Sequence, residues 1–120
     1  MSLEELHDAE LVGINIVDRS LHLKFVTENA ACEIRLGEVE RLVALPFVLG
    51  NVVSAIRVVD ATPNIKDELN SVSAELHESF FEVYGLTRVL RSSYKGRVLV
   101  VEASVGCEII CAFSGSFEVI

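Results

Sequence analysis

Apolar residues recur at every second position along most of this chain. Val12, Ile14 and Ile16 alternate with Gly13 and Asn15. Leu21, Leu23 and Phe25 alternate with His22 and Lys24, and Cys32, Ile34 and Leu36 alternate with Glu33 and Arg35. A period of two is the signature of a strand with one buried face. The pattern returns over residues 39–45, in the apolar run 52–59, and in three segments at 97–103, 107–113 and 116–120. Short turn signals separate these segments, among them Asp18-Arg19-Ser20, Glu28-Asn29-Ala30-Ala31, Gly50-Asn51 and Ser114-Gly115. Connections this short join antiparallel neighbours.

One stretch breaks the rule. Ile65, Leu69, Val72, Leu76 and Phe80 form a single stripe at helical spacing. Thr62-Pro63 suits an N-cap followed by proline in the first turn, and Gly85 suits the stop. This predicts one amphipathic helix near residues 63–84. Ser2 and Glu5 have the capping-box spacing, which predicts a short N-terminal helix over residues 3–8. The expected fold class is therefore α+β: a mostly antiparallel sheet, either open or curled into a partly closed barrel, with these two helices. The 120 residues contain no linker or low-complexity tract, so a single α+β domain spanning 1–120 is expected. Ala31-Cys32-Glu33-Ile34 is echoed by Gly106-Cys107-Glu108-Ile109, a faint hint of two related meanders.

Hydrophobic matching suggests a register for the second and third strands. With Phe25 opposite Ile34, Leu23 meets Leu36 and Thr27 meets Cys32; a slip of one residue would set Phe25 against Glu33. This alignment gathers His22, Lys24, Glu33 and Arg35 on the wetter face. They are the densest mixed polar constellation in the chain, and the candidate for contact with a ligand or partner.

Charge narrows the function classes. The net charge of −8 argues against nucleic acid, whose phosphates require a basic footprint, and against simple charge binding to an anionic membrane. No apolar window is long enough for a spanning helix, and the acidic start Met-Ser-Leu-Glu-Glu-Leu does not resemble a secretory signal. A cytoplasmic protein is expected. The mean hydropathy of +0.45 is high, which calls for strands buried on both faces or a surface covered by another subunit.

Three cysteines, Cys32, Cys107 and Cys111, do not suggest a disulfide framework. In a strand, Cys107 and Cys111 would lie about 13 Å apart, too far to bridge. All three are expected to be buried structural thiols. His7, among Glu4, Glu5, Asp8 and Glu10, reads as part of a solvated acidic segment, and His77 as a surface residue. Arg88, Arg91, Lys95 and Arg97 read as compensation for the acidic helix before them. No nucleophile elbow, phosphate loop, dinucleotide fingerprint or zinc-protease motif occurs. No catalytic residue, metal or cofactor is assigned.

The expected function is a small acidic, non-catalytic protein–protein interaction module of the inhibitor or immunity type. Its partner would be another protein or a second copy of itself. The alternative is a small-molecule binder or enzyme with an apolar pocket between sheet and helix. An interaction module should show an apolar patch rimmed by acids. A ligand binder should show a deep cavity near His22, Cys32 or Cys111.

Overall fold

The computed structural model describes residues 2–46, 50–60, 65–81 and 96–120. Every alternating segment forms a strand: β1 (Glu10–Val17), β2 (Ser20–Val26), β3 (Ala31–Leu36), β4 (Val39–Ala44), β5 (Asn51–Asp60), β6 (Arg97–Val105), β7 (Ile109–Phe113) and β8 (Phe117–Val119). All the pairings are antiparallel, in the order β4-β7-β6-β5-β1-β2-β3-β8. The sheet is open, with β4 and β8 at its ends, so the strands do not close into a barrel.

This order has an internal symmetry. Replacing β1–β4 by β5–β8, and the reverse, turns the order into its own mirror. Each half is a three-stranded meander completed by the fourth strand of the other half: β8 pairs with β3, and β4 pairs with β7. The Cys-Glu-Ile echo falls on the equivalent strands, with Cys32 in β3 and Cys107 leading into β7.

The two exchanged strands cross at one point. Gly37 N–H donates to Ser116 O (2.9 Å), Gly115 N–H to Gly37 O (3.0 Å) and Ser114 N–H to Glu38 O (3.0 Å). Between the halves lies the larger core, in which Leu23, Phe25 and Ile34 from one side join Leu99, Ile109 and Phe113 from the other. A short seam joins β1 to β5 at Glu10↔Val52 and Leu11↔Asn51. Beyond it a bulge at Val12 turns β1 away from β5.

The outer face of β4-β7-β6-β5 is covered by helix, but not by one helix over 63–84. The chain makes a single turn, α1 (Ile65–Glu68), and a second helix, α2 (Ala74–Phe80). Ile65, Leu69, Val72, Leu76 and Phe80 are all buried, against Val98, Val100, Ile110 and Ala112, so the stripe holds while the helix breaks. The break has a polar cause. Arg57 on β5 donates to Glu68 O (2.8 Å) and Ser71 Oγ (2.6 Å), taking the carbonyl that a continuous helix would give to residue 72. Ser73 N–H then donates to Glu108 Oε1 (2.9 Å), and Ser73 Oγ accepts from Leu76 N–H (3.4 Å), which caps α2. The expected start at Thr62-Pro63, the stop at Gly85, and Arg88, Arg91 and Lys95 of the basic cluster lie outside the described residues.

At the N-terminus a single 3-10 turn, Leu3–Leu6, replaces the expected helix over 3–8. Ser2 donates through its N–H and hydroxyl to Glu5 Oε1, and fully buried Leu6 anchors the turn in the core. Asp8 at φ +67° ends it. Among the described residues, no helix is long and apolar enough to cross a membrane.

The β2–β3 register differs from the expected one by two residues: Phe25 faces Cys32, Leu23 faces Ile34 and Leu21 faces Leu36. The faces are unchanged, because a shift of two preserves the side of every residue. Turn chemistry sets the register. Thr27 N–H donates to Ala30 O (2.8 Å), and Thr27 Oγ1 accepts from Asn29 and Ala30 N–H (3.4 and 3.1 Å), which closes the turn at Glu28-Asn29.

Candidate functional site

The outer face of β1-β2-β3-β8 has no covering layer among the described residues. Its cross-strand rows follow from the register. Asn15, His22, Arg35 and Glu118 form one row, and Gly13, Lys24 and Glu33 form the next. Hydrogen bonds between Glu33 and Ile120 main chains bring Ile120 to the end of the second row. The four predicted site residues are therefore brought together: His22 lies opposite Arg35, and Lys24 opposite Glu33.

Glu33 is the centre of this group. Its Oε1 accepts from Arg35 Nε and lies 3.5 Å from His22 Nδ1. The Arg35 hydrogen bond holds the Glu33 carboxyl below the ordinary carboxylate range, against a smaller upward effect of desolvation; the charges of Arg35, His22 and Lys24 add to the lowering. The same contact raises Arg35. A carboxylate paired in this way acts as an organiser of the face. It leaves Arg35, Lys24 and His22 as hydrogen-bond donors toward whatever approaches.

Apolar residues adjoin this polar centre. Val12, Val26 and Ile120 are 45, 42 and 56 % exposed, and with Lys24 and Glu33 they line a shallow depression of about 340 Å³. Beside it, past the Thr27–Ala30 turn, runs a groove of about 570 Å³ lined by Glu5, His7, Asp8 and Glu28. His7 Nδ1 lies 3.2 Å from Asp8 Oδ2, and both side chains are exposed. Sequence reasoning missed Val12, Ile120 and Glu118 as members of the face. Val12 is the extra residue of the bulge, and the other two arrive through the long-range β3–β8 pairing, which leaves no local signal. Val26 continues the outward series of His22 and Lys24 along β2.

The other concavities are separate. One of about 330 Å³ lies between sheet and helix, lined by Leu42, Val43, Leu45, Leu76, Glu75 and Ser79 among others. Another of about 460 Å³ sits where the β1–β2 hairpin faces β4. None of these is lined by His22 or Cys111, and Cys32 lines only the shallow depression. His77 packs on Phe81, ring centroids 4.8 Å apart. Among the described residues, no three His, Cys, Asp or Glu side chains converge as a metal site.

The thiols are unactivated. Burial raises all three, and pushes Cys111 up to about 12. A thiol that stays protonated at neutral pH is a poor nucleophile. Cys111 in the native protein is therefore expected to resist a thiol-reactive disulfide reagent at pH 8, while all three cysteines react in denaturant. Rapid native labelling of Cys111, read by peptide mass mapping, would contradict this burial.

Comparison with protein-family models and with curated proteins finds no match to this chain. The functional reading rests on the site itself.

Proposed function

We propose that this protein is an acidic, non-catalytic interaction module of the inhibitor or immunity type, which binds a basic protein through the bare face of β1-β2-β3-β8. The observation that carries this reading is the apolar trio Val12, Val26 and Ile120 set beside the groove of Glu5, Asp8 and Glu28. Apolar anchors supply affinity once desolvated, and surrounding acids speed the encounter with a positively charged surface. The Glu33-centred group supplies fixed polar partners on the side of the trio away from the groove. The overall charge of −8 works in the same direction, at long range and low salt.

The test is quantitative capture from lysate with immobilised wild type and Val26→Arg. Val26 is exposed, so the variant is expected to fold normally. A basic protein retained by the wild type, released by salt and lost by at least tenfold on Val26→Arg supports the reading. Equal retention by both forms, or no protein distinguishing them, overturns it.

The alternative is a small-molecule binder using the concavity between β4 and α2. Native mass spectrometry distinguishes it, because a retained ligand adds a mass that denaturation removes.

A further inference from the structure

The open side of β1 offers a second surface, independent of the partner proposed above. After Leu11 the strand parts from β5, and among the described residues nothing pairs with Val12–Val17 on that side. Proteins ordinarily protect such an edge with lysine, proline or an inward charge. Here the six residues Val-Gly-Ile-Asn-Ile-Val carry none of these. Val12, Ile16 and Val17 are 45, 61 and 46 % exposed, in a chain of net charge −8.

The backbone pattern shows which groups face outward. The two-residue loop Asp18-Arg19 closes on the pair Val17↔Ser20. In such a hairpin the closing pair is hydrogen-bonded, and the pattern alternates from there. Val17, Asn15 and Gly13 therefore direct their main-chain groups to β2, and Ile16 and Ile14 direct theirs to the open side. On the far side of the bulge the sense is reversed, in agreement with the hydrogen bond from Asn51 Nδ2 to Leu11 O across the seam (3.4 Å).

We propose that a second copy of this chain occupies the edge, with two β1 strands paired antiparallel about a two-fold axis at Asn15. Occupancy selects this register. An axis at Ile14 would set Val17 of the partner copy opposite Leu11, whose outer side β5 already takes through Asn51. An axis at Asn15 sets Ile14 against Ile16 of the partner and Gly13 against Val17, clear of Leu11. Ile14 and Ile16 then exchange main-chain hydrogen bonds, twice over. The exposed Ile16 is covered on the inner side. On the outer side Val17 lies over the side-chain-free Gly13, where Lys24 Cβ is the nearest atom, 3.5 Å from an added Cβ. Such an interface is isologous and closes on itself, giving a dimer rather than a filament. It joins the two bare faces into one eight-stranded surface carrying two copies of the Glu33 group, a bivalent presentation. A strand pair is at the small end of interfaces, near or below roughly 1,200 Å², so a micromolar dissociation constant is expected.

The test is sedimentation equilibrium of the full chain from about 1 to 200 μM, a range that brackets a micromolar association, with Ile16→Lys alongside. The wild type is expected to move from single to double mass with rising concentration, and Ile16→Lys to remain at single mass with an unchanged circular dichroism spectrum. Asn15→Cys tests the register: opposed at a non-hydrogen-bonded position about 4.5 Å apart, the two new thiols are expected to form a reducible covalent dimer under mild oxidation. A wild type of single mass throughout overturns the proposal, as does an Ile16→Lys protein that still dimerises. A dimer lost on Ile16→Lys but not cross-linked through Asn15→Cys overturns the register.

Discussion

Gly115→Ala is expected to destabilise the protein by about 3 kcal/mol, the upper end of the cost of overfilling a packed site. A Cβ built on Gly115 would lie 2.7 Å from both the carbonyl carbon and the carbonyl oxygen of Gly37, and 3.1 Å from Glu38 Cβ. The obstacle is backbone, held in place by the hydrogen bonds where the exchanged strands cross, and it cannot rotate aside. Gly37→Ala meets a softer neighbour, Ser116 Oγ at 2.8 Å, which can turn away, although Ser116 N at 3.2 Å cannot. About 1 kcal/mol is expected there. Urea unfolding reads both as a shift in midpoint at constant slope. A Gly115→Ala midpoint within error of the wild type would show that the crossing is not close-packed.

Asn51→Ala is expected to cost a similar amount, about 3 kcal/mol, through unmet hydrogen bonds. Asn51 is 1 % exposed, the one buried polar side chain among the described residues. Its Oδ1 accepts from Cys107 N–H (3.0 Å) while its Nδ2 donates to Leu11 O (3.4 Å). One side chain thus ties together β5, β1 and the approach to β7, at the β1–β5 seam between the two halves. Truncation leaves a buried donor and a buried acceptor without partners, each worth roughly 1–3 kcal/mol. Asn70→Ala, at an exposed asparagine, is the control, expected within about 0.5 kcal/mol of wild type. If the two variants unfold alike, the Asn51 bonds do not contribute to holding the halves together.

What could be foreseen from the residues was whatever depends on local period. The strands and the outward position of His22, Lys24, Glu33 and Arg35 follow from alternation, and the burial of the Ile65–Phe80 stripe follows from helical spacing. The register did not follow, because Cys32 and Ile34 are both acceptable neighbours for Phe25 and apolar matching cannot see a slip of two. It is Thr27 that chooses. The helix break did not follow either, because Arg57 and Glu108 are 11 and 35 residues distant from the groups they bind. The apolar component of the candidate site was half hidden for the same reason: Ile120 reaches it only once the last strand lies beside β3.

The exchange of fourth strands also has a consequence for the order in which this protein can be made. Ile34 and Leu36 acquire their outer neighbours from Val119 and Phe117. A nascent chain that has finished its first four strands therefore holds β3 with a bare flank and β4 without a mate, until some seventy further residues have left the ribosome. Native completion of either half must await synthesis of the other. During that interval the unpaired flank of β3 and the unmated β4 are open to wrong neighbours.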